Sequence, residues 1–104
     1  FAYHAMMYRM PPHIVAGLAN ADLAALGIPD EQDYLAAYCR RRGLGAMPGY
    51  DFYIAFNFFR LAAIFHGIKG RVIRGTAASA QARERVAVLP ELAALAWTQA
   101  KRCV

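Results

Sequence analysis

A long run of apolar side chains lies between Tyr50 and Val72. Apolar residues recur on every side of the helix that this segment would form. A helix that is apolar all round is buried all round, so the pattern predicts a long, buried central helix. Its most apolar part, Phe52–Ile68, contains Asn57, Arg60 and His66, and its uncharged runs are shorter than the roughly 18 residues that a membrane span needs.

Glycine and proline divide the rest of the chain into further helical segments. The first covers Phe1 to about Tyr8 and ends before Pro11, because a residue preceding proline is displaced from the α region. It has no capping residue before it, so we expect the chain to begin inside a helix. The last segment runs from about Ser79 to Arg102 and includes Pro90. One apolar stripe keeps its phase across that proline and favours a single bent helix: Val86, Leu89, Ala93, Ala96, Ala100 and Cys103.

The second helix is the one with the clearest end signals. Asp30 is a favourable N-cap, and Glu31 and Asp33 place acidic groups in the first turn. Arg40–Arg42 place basic groups in the last turn, and Gly43 is suited to the position after it. No strand-like alternation occurs in the sequence, so about four helices and an all-α fold are predicted.

The composition is more apolar than the length requires. With tyrosine left out and glycine included, the apolar share of the 104 residues is about 61%, against roughly 45–50% in an average soluble domain. A chain of this length forms one domain and hides only about two thirds of its unfolded surface. We therefore expect residues 1–104 to be a single helical subdomain, and a fragment whose apolar surplus is covered by a missing partner.

The net charge of +5 is concentrated in the second half. Residues 50–104 contain eight basic and three acidic side chains, whereas residues 1–49 contain four of each. The basic clusters, Arg40–Arg42 and Lys69, Arg71 and Arg74, lack interleaved aromatic residues, so nucleic acid is the least favoured partner. Two free cysteines, Cys39 and Cys103, fit a reducing compartment, most simply the cytoplasm. No signal peptide or membrane segment is predicted.

The polar residues of the third helix form a stripe. Tyr53, Asn57 and Arg60 are spaced to share one face. A buried guanidinium needs a partner, so Arg60 is interpreted either as a structural pin, for example to Asp51, or as a ligand contact. The structural reading is favoured.

Metal and phosphate motifs are absent from the sequence. His4, His13 and His66 have no acid or cysteine at metal-ligand spacing, so no metal site is predicted. The glycines between Gly67 and Gly75 match neither phosphate-loop pattern.

Three stretches carry a family resemblance. The segments FAYHAMMYRMPP (Phe1–Pro12), GIPDEQDYLAAYCRRRG (Gly27–Gly43) and YDFYIAFNFFRLAAIFHGIKGRVIRGTAAS (Tyr50–Ser79) resemble, in order, the part of aminoglycoside phosphotransferase-like proteins that follows their metal-binding motif. The resemblance is closest to the branch also found fused to acyl-CoA dehydrogenases. It implies the C-terminal helical subdomain of a protein-kinase-like fold.

The resemblance also implies a function for the longer protein. Such proteins transfer the γ-phosphoryl group of ATP or GTP, with Mg²⁺, to a hydroxyl of a small molecule. Their HGD-type loop and DWE-type motif do not occur here, so no catalytic residue is carried over and this chain alone is not expected to be an enzyme. The matching segments lie on the acceptor side of the cleft in that family, which makes five residues candidates for substrate binding: Tyr3, Tyr8, Tyr53, Asn57 and Arg60.

Two further interpretations stay open. The chain is expected to partner the catalytic part of its own longer polypeptide, but a self-associating helical interaction module without enzymatic role fits the same apolar surplus. A basic helical nucleic-acid binder is the weakest alternative.

Overall fold

The computed structural model describes residues 1–77 and 79–104, and within them all regular structure is helical. The elements are α1 (Ala2–Ala5), a 3₁₀ helix (Met6–Arg9), α2 (Glu31–Arg42), α3 (Tyr50–Ile73) and α4 (Ala82–Lys101). The predicted all-α class is confirmed. The chain divides into an N-terminal unit, Phe1–Tyr50, and a C-terminal unit, Asp51–Val104. Among the described residues, none of the helices combines the length and hydropathy required to cross a membrane.

The N-terminal unit begins with a short helical rod. α1 continues into the 3₁₀ helix as far as Arg9, and the backbone becomes extended at Met10. The predicted break before Pro11 is therefore confirmed. The loop that follows folds back along the rod, where the Leu18 amide donates to the Met7 carbonyl at 2.8 Å.

The close return of this loop depends on Gly17. A Cβ atom at this position would lie 1.9 Å from the Met10 carbonyl oxygen, so no other residue fits without moving the backbone. Met10, at the end of the rod, and Ile14, within the turn, are fully buried. The part of the loop beside the rod is thus closely packed.

Both ends of α2 follow the sequence signals. The Asp30 side chain accepts a hydrogen bond from the Asp33 amide at 2.8 Å, which satisfies one donor of the first turn. Gly43 has φ 69°, a left-handed conformation, and the Leu44 amide donates to the Cys39 carbonyl at 2.8 Å. The predicted cap and termination of this helix are confirmed.

The C-terminal unit is built on α3, whose extent agrees with the prediction. Its buried face carries Ile54, Phe58, Leu61 and Phe65. The expectation that α3 is buried all round is wrong within this chain, because a second apolar face is open to solvent. Its large side chains are more than half exposed: Phe52 at 58%, Phe56 at 52% and Phe59 at 65%.

α4 continues through Pro90 as one helix, as the sequence predicted. Leu92, fully buried, and Gln99, seven residues later, lie on its buried face. The Arg85 guanidinium carbon lies 5.4 Å from the centre of the Phe65 ring and links α4 to α3.

Candidate functional site

The five predicted substrate-binding residues fall in both units. Tyr3 and Tyr8 lie on the rod of the N-terminal unit, and Tyr53, Asn57 and Arg60 lie on α3 in the C-terminal unit. Each set is described within its own unit.

Tyr8 ties the rod to the start of α2. Its hydroxyl donates to the Pro29 carbonyl at 2.7 Å, and its ring centre lies 5.9 Å from that of Tyr34. Burial raises the pKa of Tyr8, and the neighbouring Tyr34, Asp30 and Glu31 raise it further, because each disfavours the phenolate. The hydroxyl of Tyr8 is thus engaged in holding the unit together, whereas Tyr3 is 46% exposed.

An aromatic cluster surrounds this contact. The Phe1 ring stacks on Tyr38 with centres 4.4 Å apart and also packs against Tyr34 at 5.2 Å and Tyr50 at 6.4 Å. The His4 ring lies 5.7 Å from Tyr34. Such ring pairs add packing energy beyond their buried area and bring the rod, α2 and the start of α3 together.

Beside the cluster, Arg9, Glu31 and Tyr50 form a polar network. The Arg9 Nε donates to both Glu31 carboxylate oxygens at 3.1 Å, and its Nη2 donates to Oε2 at 2.8 Å. The Tyr50 hydroxyl donates to the same Oε2 at 2.9 Å, and the Arg9 guanidinium carbon lies 5.6 Å from the centre of the Tyr50 ring. The side chains of Arg9 and Glu31 are only 12% and 18% exposed, so solvent screens this pair weakly.

The polar stripe of α3 forms on one side of the helix, with different exposures along it. Asn57 is 9% exposed, and its side-chain amide donates to the Tyr53 carbonyl one turn earlier at 2.8 Å. Tyr53 is 46% exposed and its ring meets Phe52 edge-on at 5.9 Å. Arg60 is also exposed, so the expectation that its guanidinium is buried is wrong within this chain. Asn57 therefore acts within the helix, while Tyr53 and Arg60 face outward.

The described residues contain no group of three or more His, Cys, Asp or Glu side chains that could hold a metal ion. Of the basic cluster after the centre of α3, Lys69 and Arg71 lie within the helix and Arg74 lies just beyond it. All three are exposed.

One concave surface of the C-terminal unit is apolar. It is an open groove of about 930 Å³ lined by both α3 and α4. Phe52, Phe56 and Phe59 line it from α3, and Trp97, 65% exposed, lines it from α4. We call this surface the aromatic groove. The α4 stripe identified in the sequence faces the groove through five of its members: Leu89, Ala93, Ala96, Ala100 and Cys103.

No protein-family model matches the chain. A crystal structure from Ralstonia eutropha, of a protein assigned as an aminoglycoside phosphotransferase, matches 98% of the chain at 42% sequence identity with a TM-score of 0.89. The chain belongs to the aminoglycoside phosphotransferase-like family. It has the all-α fold of the C-terminal helical part of that kinase-like architecture.

Two curated relatives agree with the predicted branch of the aminoglycoside phosphotransferase-like family. Mouse acyl-CoA dehydrogenase family member 10 is 37% identical over 98 residues, which are 92% of this chain. Rat acyl-CoA dehydrogenase family member 11 is 39% identical over 54 residues, 51% of this chain. The chain spans only 9% of the length of the mouse protein, 7% of the rat protein and 31% of the crystallised one.

Two features of this family member were not predicted from its sequence. The Arg9–Glu31 pair joins residues 22 positions apart, which no local spacing indicates. A signal did exist, because Arg9 is the one lysine or arginine before α2 and the four acids of the first half all lie in residues 22–33. The aromatic groove was also missed as a surface, although its α4 wall was recognised as a stripe.

Proposed function

We propose that this chain forms the C-terminal, acceptor-side helical part of a protein that transfers the γ-phosphoryl group of ATP or GTP to a small-molecule hydroxyl. One observation carries the proposal: 42% identity over 98% of the chain, at a TM-score of 0.89, to a structure assigned as an aminoglycoside phosphotransferase. We call the longer polypeptide that contains the chain the intact protein.

The groups that perform phosphoryl transfer would come from the rest of the intact protein. The reaction needs a lysine and backbone amides on the phosphates, an aspartate beside the acceptor hydroxyl, and Mg²⁺ held by a further aspartate. The described residues of this chain do not fit a Mg²⁺ site, since no cluster of acidic ligands is present among them. Both lysines, Lys69 and Lys101, are exposed residues of α3 and α4.

Within this role, the five candidate residues divide by their exposure. Tyr3, Tyr53 and Arg60 are exposed and would touch the acceptor. Tyr8 and Asn57 have their polar groups engaged with backbone carbonyls and would position their neighbours.

The test uses the intact protein with γ-labelled ATP or GTP, Mg²⁺ and a panel of aminoglycosides, sugars and amino alcohols. We expect transfer to one class of hydroxyl compound. Arg60→Gln should raise the KM for the acceptor and leave the KM for the nucleotide unchanged. Arg83→Gln, at an exposed arginine of α4, is the matched control and should change neither.

The division of labour is tested by nucleotide binding. Mg²⁺ with ATP or GTP should raise the thermal midpoint of the intact protein and leave that of the 104-residue chain unchanged, because a ligand stabilises only the species that binds it. Absence of a shift for the intact protein contradicts the proposed phosphotransferase. A clear shift in the thermal midpoint of the isolated chain contradicts the assignment of the nucleotide site to the rest of the intact protein.

A second candidate function is favoured by the aromatic groove. Four large rings exposed on one surface are typical of an interaction site, which supports a self-associating helical module. Light scattering measures whether the intact protein forms a reversible, concentration-dependent dimer. Such a dimer, together with a lack of phosphoryl transfer, would favour this function over the first.

A further inference from the structure

The aromatic groove has the composition of a protein interior. Phe52, Phe56, Phe59 and Trp97 are each more than half exposed, yet they lie together along one concavity rather than scattered singly. Single exposed apolar side chains are ordinary, whereas a continuous apolar surface of this kind marks a place where another element packs.

The lining of the groove suits a helix. Beside the rings it includes small side chains, among them Ala62, Ala63, Ala93 and Ala96, which allow a close approach. Insertion of an apolar helix face into a groove is a recurring mode of recognition.

Two observations decide between the possible occupants. A second copy of the chain would bring a net charge of +5 against +5, and the half that carries the groove has eight basic and three acidic residues, so like charges oppose pairing. By contrast, the crystallised relative, which matches nearly the whole chain, has more than two thirds of its length outside the matched part. The relatives therefore possess ample chain to fill the groove from within one molecule.

We infer that the aromatic groove holds an apolar helix face, contributed by the part of the intact protein outside these 104 residues. This inference concerns packing and rests on the relationship to longer relatives, not on the phosphoryl transfer of the proposed function. Occupancy of the groove can be measured even if the intact protein has no phosphotransferase activity. The inference and the proposed function can therefore fail separately.

The first measurement needs no substitution. Cys103 lines the groove and is exposed in this chain, whereas Cys39 is buried. In the intact protein, labelling of the Cys103 thiol by a maleimide, followed by peptide mass mapping, should be about tenfold slower or more than in the isolated chain. Equal rates in the two proteins would show an open groove and overturn the inference.

The second measurement compares two substitutions on the same helix. Phe56→Asp places a charge in the groove. Ile73→Asp places the same charge outside the groove, at an apolar residue that is 75% exposed. In the intact protein Phe56→Asp should lower the thermal midpoint by about 5 °C or more, and Ile73→Asp should have little effect. In the isolated chain both should have little effect. Equal midpoints for the two variants of the intact protein would contradict a filled groove.

The third measurement tests the second copy. Light scattering measures the oligomeric state of the intact protein and of the same two variants. A dimer of the intact protein that Phe56→Asp dissociates and Ile73→Asp does not would overturn the inference in favour of a second copy. A monomeric intact protein with a protected Cys103 supports the intramolecular helix.

Discussion

The guanidinium of Arg9 and the carboxylate of Glu31 form a bidentate ion pair whose shortest contact, from Nη2 to Oε2, is 2.8 Å. The pair joins the 3₁₀ helix to the first turn of α2, and Tyr50 at the start of α3 donates to the same carboxylate. Three segments that are distant in sequence thus meet at one side chain.

Loss of this pair should destabilise the N-terminal unit. Arg9→Met leaves the Glu31 carboxylate partly buried without its cation, and we expect a loss of about 2 kcal/mol in the free energy of unfolding. Urea denaturation followed by circular dichroism measures it. The double variant with Glu31→Gln should lose less than the sum of the single variants, and simple additivity would contradict a direct pair.

Gly17→Ala should be strongly destabilising. The added methyl group would overlap the Met10 carbonyl, so the loop must move away from the rod at a cost of about 3 kcal/mol or more. Gly45→Ala is the matched control, because nothing lies within 4 Å of a Cβ atom there. Thermal midpoints of the two variants should differ widely, and similar midpoints would show that the loop is not held as described.

Asp30→Ala should shorten α2 from its first turn. The change removes the acceptor for the Asp33 amide and should cost about 1 kcal/mol. Asp30→Ser keeps an acceptor oxygen and should restore most of the stability. Hydrogen exchange of the Asp33 amide reports the loss locally, and unchanged protection in Asp30→Ala would argue against the cap.

Tyr8 should give the chain a specific sensitivity to alkali. Its raised pKa means that the folded protein holds the phenolic proton more tightly than the unfolded chain. Below pH about 10 both states are protonated and stability does not depend on this group. Above that pH the unfolded chain ionises first, so stability falls as the pH rises through the folded pKa.

The comparison with Tyr8→Phe isolates this effect from the other tyrosines. The variant lacks the hydrogen bond to Pro29 and should be about 1 kcal/mol less stable at pH 8. Its stability should decline less steeply than that of the wild type above pH about 10. Parallel declines would contradict the role of Tyr8.

Local signals accounted for most of the fold. Three signals act within a few residues of the chain: the cap at Asp30, the left-handed Gly43 and the proline after the rod. They predicted both ends of α2 and the end of the N-terminal rod. Continuity of α4 through Pro90 followed from the phase of its apolar stripe.

What the sequence did not reveal depends on contacts between distant segments. Periodicity showed that α3 is apolar all round, but it does not tell which apolar face packs inside the chain and which remains open. On α4 the recognised stripe faces the groove, while the buried face carries Leu92 and Gln99. The Arg9–Glu31 pair is likewise a product of chain reversal, which single-residue preferences do not encode.

The candidate acceptor residues came from the family resemblance, and local chemistry has divided them. Tyr8 and Asn57 are partly or fully buried and bond to backbone carbonyls, whereas Tyr53 and Arg60 are exposed. A helical spacing of four and seven residues placed Tyr53, Asn57 and Arg60 on one side of α3. Their exposure differs because the neighbouring segments cover that side unevenly.

The aromatic groove and the net charge of the chain have opposite effects on aggregation. Four exposed rings on one surface favour association between copies, while the net charge of +5 makes the copies repel each other. Added salt shortens the range of the repulsion to a few ångströms and strengthens apolar association. Solubility of the isolated chain is therefore an electrostatic property, and it should decrease as ionic strength increases.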